Sequence, residues 1–78
     1  MNIRGHVIRV VDGDTLWVRV RVRLASTSTP ELGSREGGIA HEALRRRWPT
    51  GEAVQLIASG VDGYGRIIAD LVPDDSGL

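Results

Sequence analysis

The stretch LWVRVRVRLASTSTPE, residues 16–31, decides the fold because its first nine residues alternate between aliphatic and bulkier or basic residues without a break. One side of the extended chain carries five aliphatic residues, which are Leu16, Val18, Val20, Val22 and Leu24. The other side carries Trp17, Arg19, Arg21 and Arg23. A period of two residues predicts one long β-strand with an apolar face and an arginine face.

The length of 78 residues predicts one small domain with a marginal core. A chain of this size buries only about 60% of the surface that it exposes when unfolded. The chain has no cysteine, which excludes disulfides, and no Cys/His spacing indicates a structural zinc site. Because oligomerisation is the remaining common source of stability, we expect a homodimer.

The charge of the chain sums to zero, but its distribution is uneven. All ten basic residues are arginine, and six of them fall in two groups, at 19, 21 and 23 and at 45, 46 and 47. Arginine can bind phosphate oxygens with two parallel hydrogen bonds, so both groups are candidate nucleic-acid contacts. The alternative is that the composition of the genome explains the absence of lysine and that these arginines only solvate the surface.

No part of the sequence resembles a membrane or export signal. The apolar runs are much shorter than the ~20 residues of a membrane-spanning helix, and the opening MNIRGHVIRVV lacks the pattern of a signal peptide. We therefore expect a cytoplasmic protein that has no membrane contact.

The pattern predicts four extended segments and one helix. The extended segments are predicted at 5–11, 15–24, 53–59 and 66–72, and the helix at 39–48. Residues 12–14 and 60–65 have the composition of turns, and residues 26–38 that of a loop. We divide the chain into one domain, residues 1–72, and a flexible tail, residues 73–78.

Four motifs occur in an order and spacing that resemble the staphylococcal nuclease (thermonuclease-like) family. They are VVDGDT at 10–15, VRL…TPE at 22–31, the Glu42-Ala43 pair in the predicted helix, and DGYGR at 62–66. The resemblance implies a mainly β (α+β) fold, an OB-fold-type barrel of five strands with one helix between strands 3 and 4. One of the five strands must then lie within the opening stretch. The resemblance also implies that the chain lacks the helices that follow the barrel in this family.

The resemblance further implies a calcium-dependent nuclease that cleaves single-stranded DNA or RNA with little sequence preference. It assigns catalytic roles to Arg23, Glu31 and Arg66, with Glu31 as the general base. It assigns calcium binding to Asp14 and to the backbone carbonyl of Thr29, and it assigns a phosphate contact to Tyr64. The neighbouring Arg19 and Arg21 are further candidates for binding nucleic acid. Guanidinium groups and a hard cation suit this chemistry because negative charge develops on the phosphate oxygens.

The sequence departs from the family pattern at Ser28, where an aspartate usually ligates calcium. The loss of one ligand charge predicts weak calcium binding. Two other functions therefore stay open, a nucleic-acid-binding module with slow or no hydrolysis and a purely structural oligomerisation domain. Taken alone, DGDT is also typical of a plain turn.

The segment between Asp14 and Arg23 is too short and too regular for an easy hairpin. It contains no Gly, Asn, Asp or Pro between Thr15 and Leu24, and a two-residue hairpin turn needs positive φ angles that valine and arginine resist. We therefore expect a domain-swapped homodimer, in which residues 15–24 form one strand shared between two barrels that are completed by strand exchange. The alternative is a monomer with a cramped turn near residues 19–21.

Overall fold

The structure is a computed structural model that describes residues 1–26 and 35–75. Its elements follow in the order β1 (Gly5–Val10), β2 (Leu16–Val20), β3 (Val22–Leu24), α1 (Arg35–Arg47), β4 (Val54–Val61) and β5 (Ile67–Pro73). The predicted class, mainly β with one helix after the third strand, is confirmed. Five strands are present because the long segment predicted at 15–24 comprises both β2 and β3.

β1 and β2 form an antiparallel hairpin around the DGDT motif. The backbone N–H groups of Val11 and Asp12 both donate to the carbonyl oxygen of Thr15, at 2.9 and 3.1 Å. Close approach of the two strands needs glycine at position 5, since a Cβ on Gly5 would lie 2.6 Å from Cγ1 of Val18. The strand and turn that the sequence predicts here are therefore confirmed.

The other three strands form a second sheet in the order β3-β5-β4, with β5 antiparallel to β4 and parallel to β3. The DGYGR motif connects β4 to β5. Asp62 N donates to the carbonyl oxygen of Arg66 at 3.0 Å, and Gly65 has a φ of +80° that favours glycine. The register of the parallel pair places Val22 beside Ile67.

β2 continues into β3 through a single residue, Arg21. Within the described ranges, positive φ occurs only at Gly51 and Gly65, so no hairpin turn reverses the chain between Thr15 and Leu24. The structure thus has the continuous extended segment that the sequence predicts, and it lacks the alternative turn near residues 19–21. The segment pairs with β1 before Arg21 and with β5 after it.

The five strands of one chain form two open sheets and not a closed barrel. The reason is topological, since β2 and β3 are consecutive parts of one extended segment and cannot pair with each other. Ala69 is the one hydrophobic side chain that is buried among the described residues, whereas Val7, Leu16 and Ile57 are exposed. The radius of gyration is 14.4 Å, against about 11.5 Å for a compact domain of 78 residues. The barrel completed by strand exchange stays a prediction.

The helix begins earlier than the sequence predicts. It starts at Arg35 and not at Ile39, so residues 35–38 of the predicted loop are helical. Two glycines at 37 and 38 weaken the helical signal, while Glu36 in the first turn interacts favourably with the helix dipole. The helix ends at Arg47, shortly before Pro49, which agrees with the predicted end.

The last two strands lie close to their predicted positions. β4 extends to Val61, two residues beyond the prediction, and β5 extends to Pro73. Asp74 N also donates to the carbonyl oxygen of Ala53 at 3.1 Å. The domain boundary at residue 72 stays a prediction, although β5 itself runs one residue further. None of the helices in the described ranges is long and apolar enough to cross a membrane.

Candidate nucleic-acid interface and active site

The odd-numbered side chains of the extended segment, residues 16–24, lie on one face. This face continues across the neighbouring strands of both sheets. The register of β1 and β2 places Arg9 beside Trp17 and His6 beside Arg19. On the other sheet, Arg23 lies beside Ile68, and continuing the parallel register by one residue before Val22 and Ile67 puts Arg66 beside Arg21. Residues that are directly opposite in a sheet share a face. We call this surface the arginine face; its cations are Arg9, Arg19, Arg21, Arg23 and Arg66.

Arg23 lies on β3 and Arg66 directly precedes the neighbouring strand β5, so the continued register puts both on the same face. Arg66 is offset by two residues from Ile68, the partner of Arg23. A strand spacing of about 4.8 Å and a rise of about 3.3 Å per residue put the two Cα atoms about 8 Å apart. Arg23 is exposed and the side chain of Arg66 is 28% exposed, so both guanidinium groups can face one bound anion.

The DGYGR turn fixes Arg66 through Asp62. The Asp62 carboxylate accepts hydrogen bonds from Tyr64 N at 2.9 Å, from Arg66 N at 3.0 Å and from Arg66 Nε at 2.5 Å. Burial of the carboxylate acts to raise the pKa of Asp62, but these hydrogen bonds and the nearby guanidinium outweigh it, so the pKa is lowered. The Tyr64 ring is exposed, with its centroid 5.2 Å from Cζ of Arg66. Tyr64 and Arg66 thus present an aromatic ring and a cation side by side.

The DGDT turn holds Asp14 at the end of the β1–β2 hairpin. The carboxylate of Asp14 accepts a hydrogen bond from the hydroxyl of Thr15 at 2.9 Å, and Asp14 N donates to Oδ1 of Asp12 at 3.2 Å. Hydrogen bonding with the side chain and backbone of Asp14 lowers the pKa of Asp12. In the parts of the chain that the structure describes, no group of three or more metal-binding side chains occurs.

Within one chain, Asp14 and the two arginines are far apart. Nine residues of extended backbone separate Asp14 from Arg23, which corresponds to about 30 Å. The predicted site residues Glu31 and Thr29, together with Ser28, lie outside the described residues. The structure therefore brings Arg23, Arg66 and Tyr64 to neighbouring positions, and it places Asp14 at the opposite end of the long strand segment.

The structure adds two arginines that the sequence pattern does not single out. Arg9 joins the arginine face beside Trp17 through the β1–β2 register. Arg4 N donates to the carbonyl oxygen of Gly65 at 2.9 Å, which puts this residue next to Arg66. The hairpin signal around DGDT could have revealed the first contact, but the second depends on pairing between residues distant in sequence.

A groove of about 410 Å³ lies at the end of the helix and is lined by Glu42, Arg45, Arg46, Trp48, Pro49 and Thr50. Arg47 stacks on the Trp48 ring at 3.9 Å, and Arg45 forms an ion pair with Glu42 at 3.5 Å. Arginines in the last turn of a helix also compensate its unpaired carbonyl groups. Arg45 and Arg47, which belong to the second arginine group at 45–47, therefore have partners close to them in the sequence.

Comparison with known proteins identifies the class to which this arrangement belongs. The chain is 40% identical over 72 residues to a micrococcal nuclease of Shigella flexneri, a match that covers 86% of the chain and 41% of the relative. It is 32% identical over 87 residues to an uncharacterized endonuclease of Escherichia coli, covering 95% of the chain and 51% of that protein. Both relatives are named as nucleases, and the chain spans about half or less of their length.

The resemblance predicted from the four motifs is thereby confirmed, since these relatives support a staphylococcal nuclease-like family. No protein-family model matches the chain. No solved structure matches it.

Proposed function

We propose that this protein is a calcium-dependent nuclease that hydrolyses phosphodiester bonds of single-stranded DNA or RNA with low sequence specificity. The observation that carries the proposal is the position of Arg23 on β3 and of Arg66 directly before β5, on one face and about 8 Å apart at their Cα atoms. The nuclease names of its relatives support the same reaction class. The arginine face contacts phosphates, not base edges, which gives little sequence preference.

The proposed mechanism uses the arginines to stabilise developing charge. Attack of water on the phosphorus builds negative charge on the nonbridging oxygens, and Arg23 and Arg66 donate hydrogen bonds to them. One bridging P–O bond breaks as the new bond forms, and the departing oxygen takes a proton from solvent water. Glu31 takes the proton of the attacking water as general base. Asp62 is a positioning residue, because its carboxylate holds the guanidinium of Arg66. The phenol of Tyr64 contacts the nucleotide phosphate, and Arg19 and Arg21 bind neighbouring phosphates of the strand.

The donors near the DGDT turn are of the kind that calcium prefers. Asp14 and the adjacent Asp12 present carboxylate oxygens on an exposed turn, and calcium takes oxygen ligands of this type. Asp14 and the backbone carbonyl of Thr29 would hold the ion. When bound, calcium supplies positive charge that stabilises the transition state. Ser28 contributes no charge to this set, so we expect weak calcium affinity.

The second candidate function is a nucleic-acid-binding module with little or no hydrolysis, and Ser28 is the observation that favours it. Both functions use the arginine face, so binding alone does not distinguish them. Cleavage of a short fluorogenic DNA strand does, when it is measured with calcium and again with a chelator. Turnover that the chelator abolishes supports the nuclease, whereas salt-dependent binding without turnover supports the binding module.

Two variants sharpen this experiment. Ser28→Asp restores the ligand charge and is expected to raise calcium-dependent turnover; no increase contradicts our account of the metal site. Arg23→Ala is expected to reduce turnover by ~100-fold or more, as removal of one charge-stabilising group typically does. Arg45→Ala is the matched control, because Arg45 lies on the helix and pairs only locally with Glu42 in the described structure.

The partner that we propose for this protein, besides single-stranded nucleic acid, is a second copy of the chain. Strand exchange through residues 15–24 would bring Asp14 of one copy towards Arg23 and Arg66 of the other. The open sheets and the separation of about 30 Å within one chain favour this arrangement.

A further inference from the structure

Among the described residues, one edge of the extended segment from Leu16 to Leu24 has no neighbouring strand. The carbonyl oxygen of Thr15 accepts from Val11 N, and that of Arg21 accepts from Ile67 N. Both residues have odd numbers, and so does Ala25, whose N–H donates to β5. Because successive residues of a strand direct their peptide groups to opposite edges, β1 and β5 occupy the same edge.

The even-numbered residues therefore direct their N–H and C=O groups to the opposite edge. In the described structure, β2 has only β1 as a neighbour and β3 has only β5. The free edge is thus nine residues long, without proline, glycine or a bulge to block pairing. Such an edge is a template for another β-strand.

The sequence of this edge matches its own reverse. LWVRVRVRL reads the same in both directions about Val20, except that Trp17 exchanges with Arg23. An antiparallel copy centred on Val20 puts Leu16 opposite Leu24 and Val18 opposite Val22. Apolar residues then face apolar residues, and the peptide groups of even-numbered residues meet on the shared edge.

We propose that residues 16–24 pair antiparallel with the same residues of a second copy, centred on Val20. This inference deepens the proposed function, on which its consequences for the active site rest. The pairing joins β1-β2 of one copy to β3-β5-β4 of the other, giving two five-stranded sheets in the order β1-β2-β3-β5-β4. It gives the isologous contact of a two-fold dimer.

The pairing assembles the site from both chains. In this register Trp17 lies opposite Arg23 of the second copy, and Asp14 lies three residues before Trp17. The Cα atoms of Asp14 and of Arg23 of the second copy are then about 11 Å apart, compared with about 30 Å within one chain. Trp17 comes opposite Arg23 of the second copy, which suits a cation–π contact. Arg19 comes opposite Arg21 of the second copy, and like charges at opposite positions repel.

The repulsion between these arginines has a functional consequence. Six arginines from two strands form one basic ribbon, at positions 19, 21 and 23 of each copy. A phosphate backbone on this ribbon neutralises the repulsion, so nucleic acid should strengthen the dimer. Binding of a ligand to the dimer alone shifts the equilibrium towards the dimer by mass action.

Cross-linking tests the register, because the natural chain has no cysteine. In our register the Cα atoms of Val20 and its symmetry mate lie about 5.5 Å apart, within the range of a disulfide. We expect Val20→Cys to form a covalent dimer under mild oxidation. Val18→Cys alone is the matched control and should stay uncross-linked, whereas a mixture of Val18→Cys and Val22→Cys should cross-link.

The outcomes separate the pairing from the nuclease function. A wild-type mass of 8.5 kDa by light scattering at micromolar concentration without DNA, together with a complex of only one protein chain when a short DNA strand is added, overturns the pairing. Cross-linking of Val18→Cys alone also overturns it. Cross-linking of Arg21→Cys in preference to Val20→Cys overturns the register. Neither readout needs activity, so a cross-linked dimer without turnover supports the pairing and contradicts only the proposed function.

Discussion

Replacing Gly65 by alanine tests whether the DGYGR turn has the conformation that positions Arg66. Gly65 has a φ of +80°, and a Cβ there would lie 2.5 Å from Cγ and 3.0 Å from Cβ of Arg4. A left-handed conformation costs an alanine about 1–2 kcal/mol. Displacement of Arg4 loses its hydrogen bond to the Gly65 carbonyl, which contributes about 0.5–1.5 kcal/mol. The smaller entropy of the unfolded alanine chain offsets about 0.4–1 kcal/mol.

These contributions predict that Gly65→Ala lowers the free energy of unfolding by about 0.5–3 kcal/mol. Gly63→Ala is the control in the same turn, because its φ is not left-handed and a Cβ there meets nothing within 4 Å. We expect this control to be neutral or slightly more stable. Urea unfolding at one fixed protein concentration measures both variants. Equal stability of the two would refute our account of the turn.

The remaining predictions concern acid stability, the first hairpin and the arginine face. The pKa of Asp62 is lowered in the folded protein, so the contribution of Asp62 to stability is present above the unfolded pKa of 3.8 and is lost as pH falls below 3.8. The difference in free energy of unfolding between wild type and Asp62→Asn should therefore shrink in acid. A difference that stays constant with pH contradicts this prediction. Gly5→Ala should cost about 1–3 kcal/mol by overpacking the hairpin, whereas Gly13→Ala, with nothing within 4 Å, should be neutral in the same urea titration. Arg21→Ala should lower the salt dependence of single-stranded DNA binding by about 0.7 in log–log slope, and Arg45→Ala should not; equal slopes would remove Arg21 from the interface.

Local pattern predicted much of the fold. The alternation of residues 16–24 predicts an extended segment without a turn, and the structure has one. The turns at DGDT and DGYGR were predicted because aspartate and glycine favour such turns locally. The sequence pattern predicts the start of the helix four residues too late. The helix begins at Arg35, but Gly37 and Gly38 have low helix propensity and make its first turn resemble a loop.

Contacts between distant residues were harder to predict. The placement of Arg66 beside Arg21 depends on the parallel pairing of β3 with β5, which no local pattern specifies. The contact of Arg4 with Gly65 has the same origin. The resemblance to the family selects Arg23, Arg66 and Tyr64. The sheet register explains the proximity of Arg23 and Arg66, and the contact of Arg66 with the Tyr64 ring brings in Tyr64. The roles of Glu31 and Thr29 stay predictions, since both lie outside the described residues.

We propose that Arg23 and Arg66 act on the same phosphodiester. A double-mutant cycle tests it most directly, with single-turnover cleavage of a single-stranded oligonucleotide by wild type, Arg23→Ala, Arg66→Ala and the double variant in calcium. Groups that act as a unit are strongly non-additive, so the double variant should be little slower than the slower single variant. Losses that multiply, or single variants that cleave at the wild-type rate, would contradict the claim.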